Sequence, residues 1–196
     1  VVTFYDSTGA KLEGGLDLLN ANARLTAEIA RVSGVVPQVA VVTGTCAGTN
    51  AINAAAADVC VMAEDAELFL NAPFNAEDKV ANAGSAAFAA KAGVAAVTAA
   101  DAVAAAKQAA SIVALLPANN LAGPALFDFA APSKALDLVK YSAADVIAAL
   151  ADEGSTVELY AGYGKNIVTA LATINGSAVG IPVSYTHLRA HETDSY

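Results

Sequence analysis

The chain has 196 residues, 56 % of them hydrophobic, which suits one domain or two small ones with a sizeable core. Ten Lys and Arg stand against 19 Asp and Glu, a net charge of −9, and no local basic patch offsets a field that repels a phosphate backbone, so nucleic-acid binding is excluded as the leading role. Only 15 % of residues are charged, yet the apolar stretch 85–106 is mostly Ala and is broken by Lys91, Thr98 and Asp101, short of a membrane span.

Residues 1–5 read as a strand, closed by the turn formers Asp6, Ser7, Thr8 and Gly9. A start inside a strand, without an initiating Met, is what an internal piece of a longer chain would look like. From 12 to 32 the spacing is helical, with Leu16, Leu19, Ala23, Ala27 and Ala30 recurring and Leu12, Leu25, Ile29 and Val32 beside them; Gly14 and Gly15 put the regular start near Asp17. Ser33 and Gly34 stop that helix. Residues 39–42 are an all-apolar strand of the kind buried on both faces, followed by a Gly-containing turn, a small-residue helix over 51–57 and a second buried strand over 59–62. That order predicts a βαβ unit with a short crossover.

A short strand over 67–70 follows, then helices over 85–91 and 101–115 with a strand at 95–97 between them. Thr98 is the expected N-cap of the longer helix, with Asp101 as its capping-box partner. Pro117, Gly123, Pro124 and Pro132 mark a linker-like stretch. Beyond it come a helix over 143–150, a strand over 155–159 and a hairpin of 167–174 with 178–182 around Asn175-Gly176. The domain reading is 1–125, a linker over 126–142, the opening of a second unit over 143–183, and a tail over 184–196.

That tail breaks from the Ala/Val/Gly texture and resembles translated sequencing-adapter read-through, so it is set aside. It also holds both histidines, His187 and His191, for which no third metal ligand is recognisable by spacing, so no metal site is expected. The rest of the chain has no His, and neither a Ser-His-Asp nor a Cys-His system can be assembled from it. Catalysis would rest on backbone donors, a carboxylate or Cys, or groups from elsewhere. Two cysteines make no disulfide framework, and with no basic-then-apolar leader the expected location is cytoplasmic.

The first candidate site is Gly44 to Asn50, between a buried strand and a helix start. Two readings fit: the glycines let backbone N–H groups point at an incoming oxygen, or they merely permit a tight turn. Cys46 reads as a buried small hydrophobe and Cys60 as core. The second candidate is the loop Asp6, Ser7, Thr8, Gly9 and Ala10, which leaves the C-terminal end of the first strand, the edge where open α/β sheets gather ligands. Asp6 as a general base is the weaker reading beside a turn cap, and Lys11 and Arg24 read as exposed.

The segments Asp6-Ser7-Thr8-Gly9-Ala10-Lys11-Leu12-Glu13-Gly14 and Ser33-Gly34-Val35-Val36-Pro37-Gln38, running on through Val39-Ala40-Val41-Val42-Thr43-Gly44-Thr45-Cys46-Ala47-Gly48, resemble the biotin-dependent acyl-CoA carboxyltransferase family. Phe69-Leu70-Asn71-Ala72-Pro73, Gly93-Val94 and Tyr163-Gly164-Lys165-Asn166 are similar to its later landmarks. The resemblance implies an α/β crotonase/ClpP-like repeated ββα superhelix, present in part. It implies carboxyl transfer between carboxybiotin and the α-carbon of a short-chain acyl-CoA. The Gly9-Ala10 and Gly48-Thr49 amides would form the thioester oxyanion hole, and Ser7, Thr8, Gly44, Thr45, Cys46, Ala47, Ala72 and Pro73 would border the cofactor. Implied cofactors are biotin, as carboxybiotin on a carrier, and a coenzyme A thioester. Implied partners are the biotin carboxyl carrier, a biotin carboxylase or decarboxylase subunit, and further copies of the chain in a homo-oligomer. Thr49, Ala72 and Phe88 stand where the family usually has Gly, Gly and His. The alternatives are a non-catalytic scaffold or assembly subunit of the same fold, and a crotonase-type acyl-CoA hydratase or isomerase, for which no Glu pair is placed.

Overall fold

Two runs of small apolar residues frame the molecule: β2 (Val39–Ala47) and β3 (Val59–Ala63) lie side by side and parallel, with Val41, Val42, Val61 and Met62 fully buried. Strands covered on both faces need no polar alternation, which is why these segments read as continuous apolar runs. The structure is a computed structural model and describes residues 1–72, 80, 82–137, 139 and 141–184. β1 (Val2–Ser7) flanks β2 in parallel, and β5 (Val97–Ala99) flanks β3, giving the order β1-β2-β3-β5; β4 (Glu67–Phe69) pairs with the far end of β2.

The crossovers are α1 (Gly15–Val32), reached through a 3-10 turn at Leu12–Gly14, and α2 (Thr49–Ala55). α1 forms over the expected span, but the Leu16 and Leu19 side points outward, at 82 % and 65 % exposure, and the half-buried side carries Leu18, Asn22, Thr26, Ile29 and Val32. Helical spacing alone left both stripes apolar enough to face inward; the Thr26 hydroxyl, 2.9 Å from the buried Asn53 amide oxygen on α2, lies on the side that packs. Gln38 joins this crossover to the sheet: its backbone N–H donates to Asp58 Oδ2 at 2.8 Å and its side-chain amide to the Ile29 carbonyl at 3.1 Å.

α3 (Ala86–Lys91) starts at Ser85, whose Oγ accepts the Phe88 N–H. α4 (Ala102–Leu115) packs across β2 and β3 through Ala105, Ala109 and Ile112. Its N-cap is Asp101, which accepts the Ala104 N–H at 2.7 Å, and not Thr98, which belongs to β5. An extended Asp three residues before a free amide caps it as well as Thr does, and the sheet had already claimed Thr98.

Among the described residues, 116–142 carry no helix and only an isolated bridge, Leu126 to Ser177. α5 (Ala143–Leu150) then opens on a capping box, with Ser142 and Asp145 bonded reciprocally and Lys134 paired to the Asp145 carboxylate. An antiparallel sheet β6-β7-β8 completes the described chain: β6 (Val157–Leu159), β7 (Ile167–Ile174) and β8 (Ser177–Ser184). Asn175 and Gly176, both at positive φ, make its two-residue hairpin. A second small core of Ala143, Ile147, Ala151, Val168, Ala170, Ala172 and Val183 lies under α5, while Val157, Leu159 and Leu171 pack on the first core. No described helix is long and apolar enough to cross a membrane. The tail from 185 on lies outside the described residues.

Candidate functional site: two bends at the ends of β1 and β2

The expected turn at Gly44 is strand. β2 runs on to Ala47, because Thr45, Cys46 and Ala47 find partners in Glu67, Leu68 and Phe69 of β4. The exchange of neighbour, from β3 at residues 39–42 to β4 at 45–47, happens across an irregularity in the β1 ladder: Tyr5 lies opposite Val42, yet Ser7 lies opposite Cys46. Three β2 residues, Thr43, Gly44 and Thr45, therefore face Asp6 alone. Such bulges bend a strand and re-aim the residues beyond them. Gly44 is where Asp6 tucks in: a Cβ there would stand 2.2 Å from Asp6 Oδ1.

Because Ser7 and Cys46 are register partners, the two strands leave the sheet side by side, and Ala10 and Thr49 each come three residues after the paired position. The bends repeat one arrangement. After β1, Gly9 takes φ 116 and its N–H donates to Ser7 Oγ at 3.3 Å. After β2, Gly48 takes φ 64 and ψ −132, and its N–H donates to the Phe69 carbonyl at 3.1 Å. In each bend the glycine amide is thus committed internally, and the following amide, of Ala10 or Thr49, has no acceptor among the described residues. Thr49 is the first residue of α2, whose leading amides lack intrahelical partners by construction. Backbone N–H dipoles without an internal acceptor can stabilise an oxygen bearing negative charge with no ionisable group required.

Of the other expected site residues, Thr8 is exposed and Ser7, Gly44, Thr45 and Ala72 are half-buried. Cys46 and Ala47 are both buried, Cys46 within the main hydrophobic core. Burial pushes the Cys46 thiol up to about 11 and the Cys60 thiol up to about 12, Cys46 adding to the latter. Pro73 lies outside the described residues. Pattern reading missed three features: the Asp6 seat over Gly44, the Ser7 hydroxyl and Phe69 carbonyl that silence the glycine amides, and a cavity of about 310 Å³ beside β4. The first had a signal, since a glycine inside a strand marks close approach of another group. The others depend on pairing that no local pattern contains. Among the described residues no cluster of His, Cys, Asp or Glu could hold a metal ion.

Comparison with known proteins agrees with this architecture. The methylmalonyl-CoA carboxyltransferase 12S subunit of Propionibacterium freudenreichii subsp. shermanii is 34 % identical over 195 residues, covering 91 % of this chain and 37 % of that protein. Methylmalonyl-CoA decarboxylase subunit alpha of Veillonella parvula is 28 % identical over 200 residues, covering 92 % and 39 %. The chain thus spans about two fifths of the length of the curated relatives it matches. The crystal structure of transcarboxylase 12S with hydrolysed methylmalonyl-coenzyme A bound superimposes with a TM-score of 0.82 at 31 % identity, over 93 % of this chain and 40 % of that one. The α/β fold is therefore that of the crotonase-like carboxyltransferases, present in part. With residues 1–186 matching the family described as the carboxyl transferase domain, the chain belongs to that family.

Proposed function

We propose that the chain is part of an enzyme that moves a carboxyl group between carboxybiotin and the α-carbon of a short-chain acyl-CoA, the Ala10 and Thr49 amides donating to the thioester oxygen. The observation that carries this reading is the paired bend, in which one amide is spent on an internal acceptor and the next is left without one. Removing the α-proton moves negative charge onto the thioester oxygen. Two donors already fixed by a strand end and a helix start lower the energy of that charge without reorganising. The absence of His from residues 1–184 is then no obstacle.

The donor set suits the ureido group of the cofactor as well. Ser7, Thr8, Thr45 and Ala72 have surface available to border it, while Gly44, Cys46 and Ala47 contribute the backbone shape beneath them. When bound, carboxybiotin supplies the carboxyl group and its ureido nitrogen takes the α-proton. Working partners are a biotin carboxyl carrier and a biotin carboxylase or decarboxylase subunit, in a cytoplasmic homo-oligomeric assembly. The names of the relatives include both a carboxyltransferase and a decarboxylase, and the same two amides serve either direction.

Thr49→Pro tests the reading. Proline is favoured at the first helical position and removes the N–H along with the Thr side chain; Gly48, at φ 64 and ψ −132, has the mirror image of the extended conformation that precedes proline. In carboxyl transfer between free biotin and an acyl-CoA, kcat should fall about 100- to 1000-fold, the loss typical of one oxyanion donor. Thr49→Gly keeps the amide and should retain the rate. Equal rates in the proline variant and the parent chain would refute the role.

A further inference from the structure

α2 carries the Thr49 amide but has little to hold its direction. It has seven residues, too few for a helix to persist without tertiary contacts, and Gly48, at φ 64 and without a Cβ, puts little restraint on the joint at its start. Its buried residues are Ala51, Asn53 and Ala54, while Ile52, its one large apolar side chain, is exposed. Apolar contacts are non-directional, so the two alanines set the depth of the helix more than its angle. Asn53 is the directional contact. It lies one turn after Thr49 on the same face of α2 and is 1 % exposed. Its amide presents the oxygen to the Thr26 hydroxyl at 2.9 Å, while Nδ2 has no partner among the described residues. The same hydroxyl lies 3.1 Å from the Asn22 carbonyl, so one proton faces two acceptors. A half-turn of the amide about Cβ–Cγ removes both faults: Nδ2 donates to Thr26 Oγ1, and the hydroxyl donates to the Asn22 carbonyl. The oxygen then left facing the interior is the cheaper group to bury unpaired.

We propose that Asn53 and Thr26 are positioning residues: a relay from Asn53 Nδ2 through the Thr26 hydroxyl to the Asn22 carbonyl sets the angle of α2 against α1, and with it the aim of the Thr49 N–H. This rests on the oxyanion-hole reading of the two bends. α1 is a firm reference for the tie, because Gln38 anchors it. The Gln38 side-chain amide donates to the Ile29 carbonyl, three residues after Thr26, and its backbone N–H donates to Asp58, just beyond α2. The strand side of the bend is held separately, by the Gly48 N–H on the Phe69 carbonyl. Two ties, one on each side of the Gly48 joint, therefore fix the Thr49 amide. Asn53 and Thr26 act through that amide and not on the substrate.

Thr26→Val, which keeps the branched shape and removes the hydroxyl, tests the assignment in the 196-residue chain. In carboxyl transfer between free biotin and propionyl-CoA, kcat should fall about tenfold, the loss that one hydrogen bond can carry, while KM for the thioester changes less than about twofold. Thr26→Ser should restore the rate. Added to Thr49→Pro, Thr26→Val should cause no further loss, since the amide that it aims is gone. In amide NMR spectra Thr26→Val should move the Thr49 resonance and leave that of Ala10 in place, a readout that needs no turnover. An unchanged kcat, a loss that persists in the Thr49→Pro background or that Thr26→Ser does not restore, or a Thr49 resonance that stays in place overturns the relay and leaves the oxyanion hole standing. Thr49→Pro at the parent rate removes the oxyanion role, and the purpose of the relay with it.

Discussion

Ala10 and Thr49 differ from the glycines before them in having an N–H with no acceptor among the described residues, and in the proposed oxyanion role that contrast selects them as the donors. The glycines supply the positive φ that turns the chain, and the next residue, back in an ordinary conformation, supplies the donor. Thr in place of Gly at position 49 is compatible with that role, since the donor belongs to the backbone. The nearby thiol is a different matter. Cys46 is buried and its thiol is held up to about 11, so it carries almost no thiolate near neutrality. Neither cysteine of the native protein should react with an aromatic disulfide reagent within an hour at pH 7.5, and both should react once the chain is unfolded in guanidinium. Fast labelling of the native protein would contradict this burial.

Strand β2 shows how an element can be continuous yet change neighbours. Its first half is held between β1 and β3, its second half by β4, and the bulge opposite Asp6 lies at the exchange. Without the bulge Ser7 would meet Gly44 instead of Cys46, and the two bends would leave the sheet out of step. The β7–β8 hairpin is constrained more tightly. Gly176 has φ 76, and a Cβ there would stand 2.4 Å from the Phe127 carbonyl oxygen, a backbone atom with little freedom to move. Gly176→Ala should therefore destabilise by at least about 1–3 kcal/mol, from the strained conformation and the overlap together. Gly180, on the same hairpin, meets nothing within 4 Å, and Gly180→Ala should change stability little. Denaturant unfolding of the two variants side by side would separate the local effect from a general intolerance of the strand.

At the scale of the whole molecule, one buried carboxylate ties the end of α5 to the β7–β8 hairpin. Asp152, just after α5, accepts the Thr173 hydroxyl at 2.8 Å, the Asn175 N–H at 3.0 Å and the Gly176 N–H at 2.7 Å. Burial works against its ionisation, but the Gly176 amide, the Thr173 hydroxyl and the Asn175 amide outweigh it and hold the carboxyl below its ordinary value. A carboxyl depressed on folding adds stability that is present above its unfolded value near about 3.9 and is lost as pH falls through its folded value. Asp152→Ala should lower Tm clearly at pH 7, and the gap between variant and parent should narrow steadily below about pH 4. A gap independent of pH would mean that the aspartate acts by shape alone.

Buried parallel strands were legible in Val39 to Val42 and Val59 to Met62, since few other structures bury unbroken apolar runs of that length. The Asn175-Gly176 turn was legible for an equally local reason, as both residues tolerate positive φ. The motifs around Gly9 and Gly48 marked where the two bends fall, and the absence of His before residue 187 marked what chemistry they could not perform. Which side of α1 turns inward, where β2 ends and which amides remain free were settled by contacts far apart along the chain. Thr26 meets Asn53, Thr45 to Ala47 find β4, and the Phe69 carbonyl accepts the Gly48 N–H. Local preference constrains one residue and its near neighbours, whereas a hydrogen bond is assigned only when the packed chain brings its acceptor within reach.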